Sequence, residues 1–500
     1  MSLTQRFARG VFWNLIGFAC TRLFTFIAIL VTARFLGKQG FGELGMITST
    51  VGALGSFAGF GIGLTANKYV AELKEKEPDR AGRIIALSNQ IALFSGLFFA
   101  LVCILIAPWL AARTLNAPHL TTLLQVGALI IPASALLGVQ TGTLAGFQAF
   151  RDIAWNNLRQ GLLVLPLTIS LVYSLGLLGA VLSLAITPAT GVVMAARTLK
   201  RIYANSGMVI NYRQGWREKR VLWDFTLPGI LAVNLINPVT WSANAILVNQ
   251  PNGYSEMGLF SMANQLRMLI LFLPNIIGMV TVPLLSEIHG KKDPGYFAQV
   301  ANLNVKTIWS FILPAGFLAI GFSSWLVGLY GPQFQSGRPV FALMVCVSIL
   351  TVVNGTIRQS LISAGKMWVD CLSNLVWASI LIVSVAYLVP KSGSKGMALA
   401  YLIAYFFQLS MIITFIALTY GRASIQSVPI LSSFSIIMLL LSAGVGNFPD
   451  KLIISCSLFF AFLTFYWSWR LIPVQSKKLF FDDANNRIFS WITRPKDNNY

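Results

Sequence analysis

Fourteen stretches of 19 to 29 residues with few charges recur along the chain, and they limit its fold more than any motif. They lie at 11–36, 41–66, 84–107, 120–147, 154–173, 178–196, 225–248, 257–285, 303–329, 340–363, 369–389, 396–420, 428–447 and 452–471. Each is about as long as the roughly 20 apolar residues that cross a bilayer as a helix. Strands of a transmembrane barrel run about 10 residues and alternate polar with apolar side chains, which these windows do not. With 56% hydrophobic and 11% charged residues, against roughly a quarter charged in soluble domains, lipid is the only solvent that suits such a surface. The expected fold class is therefore an all-α integral membrane protein of about 14 transmembrane helices. The first window is too long for a signal-peptide core and lacks a small-residue cleavage site, so it reads as a retained helix.

Basic residues set the expected orientation, because Lys and Arg gather on the cytoplasmic side of a membrane. Alternating the loops from an inside N-terminus places most of the 37 Lys and Arg inside. The three largest clusters, KEKEPDRAGR from Lys74, the segment from Arg197 to Arg220, and the tail from Arg470 to Lys496, all fall there with the C-terminus. The formal net charge of +21 is thus a topological signal, and no nucleic-acid partner is expected, since no basic cluster sits on a soluble domain. Cys20, Cys103, Cys346, Cys371 and Cys456 stand singly, without a CxxC spacing, and the two histidines fall in separate loops. Neither a metal site nor a nucleophilic triad can be assembled from them. No enzyme activity and no cofactor is expected.

The chain also repeats itself. FGELGMITS at 41–49 matches YSEMGLFSM at 254–262, with Glu43 and Glu256 separated by 213 residues. AELKEKEPD from Ala71 and SEIHGKKDP from Ser286 follow in the same style, and Glu72 and Glu287 lie 215 apart. LAGFQAFRDIAWNN at 144–157 pairs with ISAGKMWVDCLSN at 362–374, with Asp152 and Asp370 separated by 218. Three landmarks in one order at a near-constant offset predict two parallel repeats of six helices, hence two lobes about an axis along the membrane normal with a cavity between them. The expected organisation is an N-lobe over 1–198, a basic cytoplasmic linker over 199–224, a C-lobe over 225–420, two further helices over 421–475 and a basic tail over 476–500. Tyr, Trp and Arg in the linker suit packing at the membrane interface. Gly55, Gly59 and Gly63 form a small-residue face fit for close helix approach.

Charge inside the membrane is the informative quantity, because an ionised group near the bilayer centre costs about 2.5–3.5 kcal/mol even on the lenient insertion scale. All 16 acidic residues fall in loops or near window ends, whereas Arg22 and Arg267 lie well inside their windows. A bilayer cation with no counter-charge at matching depth points to an anionic ligand. Asn14, Thr21 and Thr25 share an arc of the first window with Arg22 at its flank. Asn234, Asn237, Trp241 and Asn244 share an arc of the seventh, beside Pro238, and Asn264, Arg267, Asn275 and Gly278 share one in the eighth, beside Pro274. Such faces line helix contacts or a water-filled cavity. Interhelical hydrogen bonding with a snorkelling arginine is the competing reading. For Arg34, Lys38, Arg358 and Lys366, nearer the window ends, interface anchoring is favoured.

At this point the residues carry a resemblance. The N-terminal 49 residues, with Ala33, Arg34, Leu36, Gly37, Phe41, Gly42, Leu44 and Gly45 in an ARxLGxxxFGxLG junction, resemble the polysaccharide biosynthesis (Wzx-type) oligosaccharide-lipid flippases of the multidrug/oligosaccharidyl-lipid/polysaccharide (MOP) exporter superfamily. VTVPLLSEIHG at 280–290 resembles the end of the eighth helix in that family. The resemblance implies two six-helix lobes plus two C-terminal helices, a MATE-like arrangement in the bacterial inner membrane with both termini cytoplasmic. It implies transfer of an undecaprenyl-pyrophosphate-linked oligosaccharide to the outer leaflet by alternating access, for O-antigen, capsule or exopolysaccharide. Arg22 and Arg267 match, by helix and depth, arginines of the related lipid II flippases, and guanidinium forks suit pyrophosphate. Asn14, Asn234, Asn237, Trp241, Asn244, Asn264 and Asn275 would meet sugar. The partners implied are the polyprenyl-pyrophosphate-linked saccharide, membrane lipid, and a polysaccharide polymerase and glycosyltransferases acting with a monomeric transport unit. The alternatives are a cation-coupled multidrug (MATE-type) exporter and a lipid II flippase. The first of these needs a carboxylate inside the bundle, and none of the windows has one at its middle.

Overall fold

In a computed structural model of the chain, three helices run far beyond one membrane thickness, and each breaks at a glycine. Helix α1, Leu3–Gly59, α6, Phe150–Ser206, and α12, Met367–Tyr420, span 57, 57 and 54 residues. At 1.5 Å per residue a 57-residue helix would be about 85 Å long, against a hydrocarbon core of about 30 Å. Gly37, Gly176 and Gly393 interrupt them with φ of 68°, 55° and 54°, a left-handed conformation that glycine adopts without the Cβ clash other residues suffer. Windows 11–36, 154–173 and 369–389 precede these bends, and 41–66 as far as Gly59, 178–196 and 396–420 follow them.

The structure describes residues 3–59, 62–218, 236–272, 274, 294–363, 367–420, 437–438, 440, 442, 444–445 and 448–471. Between the long helices lie α2, Ile62–Leu73, α3, Pro78–Trp109, α4, Thr121–Gly127, α5, Ile130–Gly146, α7, Ile236–Val248, α8, Gly253–Ile270, α9, Pro294–Gly321, α10, Ser323–Gly328, α11, Arg338–Ser363, and α13, Asp450–Leu471. The described residues contain no strand. Seven helical segments among them are long and apolar enough to cross a membrane, several of them double-length. The protein is a multi-pass all-α membrane protein.

The repeat seen in the sequence has a backbone counterpart that the landmarks missed. Gly176 and Gly393, 217 residues apart, have ψ of −126° and −129° beside their matching φ. After each bend the chain doubles back so tightly that a Cβ on Gly179 would stand 1.9 Å from the Leu171 carbonyl oxygen, and one on Gly396 would stand 2.3 Å from that of Leu388. Both are G-x-x-G turns, and both require glycine at the close approach. The landmark acids Asp152 and Asp370 lie in the first turns of α6 and α12, where a negative charge suits the positive end of a helix dipole. Glu287 and His289 lie outside the described residues.

The chain forms two compact units. One comprises residues 1–265, 325–340 and 374–404, the other residues 266–324, 341–373 and 405–500. Within the first, α1 packs along α6, α5 against α2, α3 and α6, and α7 against α1. The proposed small-residue face divides in function. A Cβ on Gly63 would stand 2.7 Å from the Gly138 carbonyl oxygen and one on Gly59 3.1 Å from the Ala135 Cα, so these two allow close packing on α5. Gly55 meets only Ile131, at 3.7 Å, and Gly52 meets nothing within 4 Å, so the helices diverge there. The α6 helix continues to Ser206, through the first residues of the expected 199–224 linker, and the stretch from Met208 to Glu218 lies on α3: Gln90 donates to the Tyr212 carbonyl, and Arg80 and Arg83 pair with Glu218. In the second unit α9 lies along α13, with Phe317 stacked on Phe460.

Candidate functional site

The site starts at a crossing that two glycines permit. A Cβ on Gly42 of α1 would stand 1.8 Å from the Tyr254 carbonyl oxygen at the start of α8, and one on Gly258 of α8 would stand 1.8 Å from the Lys38 carbonyl oxygen. Backbone therefore rests on backbone where the two copies of the repeated FGELG-like segment meet. Around the crossing, the Tyr254 hydroxyl donates to the Leu115 carbonyl (2.8 Å), the Asn249 amide to the Thr114 carbonyl (2.7 Å) and Arg34 Nε to the Leu329 carbonyl (2.7 Å). Burial, and secondarily the charge of Glu43, push the Tyr254 pKa above its ordinary value, so its hydroxyl keeps its proton. Glu43 is buried beside Gln39 and His119. Its repeat partner Glu256 does something else. It accepts from the Ser394 amide (2.8 Å) and from the Ser394 hydroxyl, closing the Gly393 bend with a carboxylate at a helix start.

Below this crossing α7 is laid along the second arm of α1, and the face expected from the sequence is the one that makes the contact. Trp241 Nε1 donates to Thr50 Oγ1 at 3.0 Å and Asn244 Nδ2 to Ser49 Oγ at 2.9 Å. One turn earlier, Asn237 lines a cavity of about 410 Å³ walled by Thr48, Gly52, Gly55 and Ser56 of α1, Ile131 and Ser134 of α5, and Leu184 of α6. The divergence of α1 from α5 beyond Gly59 opens this space. None of the described residues lining it is charged. Thr48 donates its hydroxyl to the Leu44 and Gly45 carbonyls and Ser56 to that of Ala53, so each hydroxyl oxygen keeps acceptor capacity.

Arg22 belongs to the same unit and is exposed on α1. Arg267 belongs to the other unit. It sits in the last turn of α8, only 6% exposed, and its Nη2 donates to Thr351 Oγ1 at 2.8 Å. Asn264, one turn before it, is half-buried. The side chain of Asn14, and Asn234, Asn275 and Gly278 as a whole, lie outside the described residues. Sequence reasoning missed the α11 stripe that carries Thr351. Asn354 there donates to the Tyr405 carbonyl (3.1 Å), and Arg358, expected to anchor at the interface, forms a two-pronged ion pair with Asp370. The i, i+3, i+7 spacing of Thr351, Asn354 and Arg358 was the available signal. Among the described residues no group of three or more His, Cys, Asp or Glu could hold a metal ion.

The profile of the polysaccharide biosynthesis protein family matches residues 7–289. The chain belongs to that family. Curated relatives match it over most of its length. It is 26% identical over 389 residues to the lipid III flippase of Escherichia coli K12, covering 75% of this chain and 89% of that protein. It is 24% identical over 404 residues to the EPS I polysaccharide export inner membrane protein EpsE of Ralstonia nicotianae, covering 75% and 86%. Among solved structures, the lipid II flippase MurJ in an inward closed conformation superposes with a TM-score of 0.67 at 13% identity, over 95% of this chain and 99% of that one. An inward-facing multidrug resistance MATE transporter of the MOP superfamily gives 0.62 at 14% identity, over 82% and 99%. These two likenesses show that the chain has the same fold as both structures.

Proposed function

We propose that the protein flips a polyprenyl-pyrophosphate-linked saccharide from the cytoplasmic to the outer leaflet of the bacterial inner membrane, for assembly of a cell-surface polysaccharide. The observation that carries this reading is the cavity between α1, α5, α6 and α7, lined by hydroxyls, an amide and aliphatic groups with no carboxylate among its described residues, in a chain similar to a lipid III flippase over most of its length. A cation exporter needs a carboxylate to hold its cargo or coupling ion; sugar needs hydrogen-bonding groups and apolar surface. The pyrophosphate is held by the two arginines, Arg22 and Arg267, as bidentate guanidinium partners. Asn14, Asn234, Asn237, Trp241, Asn244, Asn264 and Asn275 position the head group. The N-lobe (1–198) and C-lobe (225–420) rock about the cavity, both termini stay cytoplasmic, and the polyprenyl tail remains in lipid. An inside-negative potential helps expel an anionic head group, by about 2.3 kcal/mol per charge per 100 mV across the full field. A polysaccharide polymerase and glycosyltransferases are its partners in that assembly.

The test replaces Arg22 and Arg267 singly with Gln and follows flipping of a labelled lipid-linked oligosaccharide in proteoliposomes at matched protein content. Both variants are expected to lose most of the rate; wild-type rates in both would overturn the assignment of the arginines.

A further inference from the structure

We infer that the α1/α5/α6/α7 cavity is the seat of an uncharged sugar ring, and that Gly52, Ser134 and Asn237 set which sugars the transporter accepts there. The inference rests on the flippase reading and adds a substrate class to it. About 410 Å³ falls in the range of roughly 300–1,000 Å³ typical of small-molecule sites. The wall has two chemistries. Val51, Ile131 and Leu184 offer apolar surface to the C–H faces of a pyranose. Thr48 and Ser56, with their hydroxyl hydrogens spent inside α1, present acceptors to sugar hydroxyls. Ser134 and Asn237 supply both donors and acceptors, as an N-acetyl group or a ring hydroxyl requires. A uronic acid in this space would bury a carboxylate with no cation among the described lining residues, at a desolvation cost that a hydroxyl or acetamido group does not incur.

Gly52 makes the space. A Cβ there meets no atom within 4 Å, so a larger side chain grows into the cavity instead of into a neighbouring helix. The nearby glycines Gly59 and Gly63 differ, because their Cβ positions are filled by α5. Gly52→Leu therefore tests the cavity and not the packing.

The experiment uses proteoliposomes containing the full chain and three labelled probes: polyprenyl pyrophosphate bearing N-acetylglucosamine, the same lipid bearing glucuronic acid, and the lipid with no sugar. Each variant is first checked for monodispersity and melting temperature. The wild type is expected to prefer the N-acetylglucosamine probe over the glucuronic acid probe. In Gly52→Leu the ratio of N-acetylglucosamine to sugarless transport falls about tenfold or more. In Ser134→Ala and Asn237→Ala it falls roughly two- to tenfold, the range of a single hydrogen bond. An unchanged ratio in all three variants, or a wild type that takes both sugars equally, overturns the sugar seat. Equal slowing of all three probes in Gly52→Leu, with no effect of Ser134→Ala or Asn237→Ala, assigns the cavity to the polyprenyl tail and also overturns it. A wild type that moves none of the probes refutes the flippase reading itself.

Discussion

Replacing Gly42 with Ala probes the α1/α8 crossing most sharply, because Gly52, ten residues along the same helix, supplies an internal comparison. Both substitutions gain about 0.5–1 kcal/mol from helix propensity, since alanine loses less backbone entropy than glycine. At Gly52 nothing opposes that gain, because no atom lies within 4 Å of the new methyl. At Gly42 the methyl would stand 1.8 Å from the Tyr254 carbonyl oxygen and 2.8 Å from the Gly258 nitrogen. Ordinary heavy-atom contact is about 3.5–4.0 Å, so α1 and α8 must part by about 1.5–2 Å. Overpacking of this kind costs about 1–3 kcal/mol. Parting the crossing also stretches the Tyr254–Leu115 hydrogen bond beside it, worth about 1 kcal/mol. Gly42→Ala should therefore end about 2 kcal/mol below the wild type and Gly52→Ala slightly above it. Adding Gly258→Ala to Gly42→Ala should cost less than the sum of the two, because both open one crossing. Thermal unfolding of the purified protein, followed by size-exclusion chromatography after heating, reads the order directly. A Gly42→Ala protein as stable as Gly52→Ala would refute the backbone-on-backbone contact.

Three further outcomes follow from named contacts. Asp370→Asn leaves Arg358 of the partly buried ion pair without its anion, and a double-mutant cycle with Arg358→Gln should give a coupling of about 1–3 kcal/mol in thermal stability; a coupling near zero would show the pair to be solvent-screened. Glu256→Ala strands the Ser394 amide at the Gly393 bend, at a cost of about 1–3 kcal/mol, whereas Glu256→Gln, which keeps an acceptor oxygen, should lose less; equal losses would count against the carboxylate as a helix-start cap. Tyr254→Phe removes the hydrogen bond to the Leu115 carbonyl and should cost about 1 kcal/mol. Because burial raises the Tyr254 pKa in the folded protein, the wild type's advantage is complete below the unfolded tyrosine pKa of about 10 and shrinks as pH rises beyond it. An advantage that grows with alkaline pH in melting experiments would contradict this.

Much of the fold was legible because lipid imposes simple rules. Long apolar windows become helices since no unpaired backbone polar group is tolerated in hydrocarbon. The repeat was legible because each copy keeps its acids at helix ends, as with Asp152 and Asp370. The face of Asn237, Trp241 and Asn244 was legible from its 3.6-residue period: Trp241 and Asn244 bond to α1, and Asn237 lines the cavity that α1 helps to wall. Other features were not legible. G-x-x-G at 176–179 and 393–396 is a weak pattern among 41 glycines, and only the left-handed φ and the doubled-back carbonyls mark these as the bends. Arg358 read as an anchor because its partner Asp370 lies on another helix. Glu43 and Glu256 read as equivalent, yet one lies by His119 and the other caps Ser394, because the tertiary neighbours of the two copies differ.

The sequence by itself determined the class of solvent, the helical architecture, the repeat and the family, because these depend on composition, period and spacing along one chain. Only the tertiary structure decided that Gly59 and Gly63 pack while Gly52 and Gly55 open a cavity, and that Arg267 is buried against Thr351. A glycine looks the same in a sequence whether it admits a helix or leaves a space, and the difference lies in what the rest of the fold brings within 4 Å of its missing side chain.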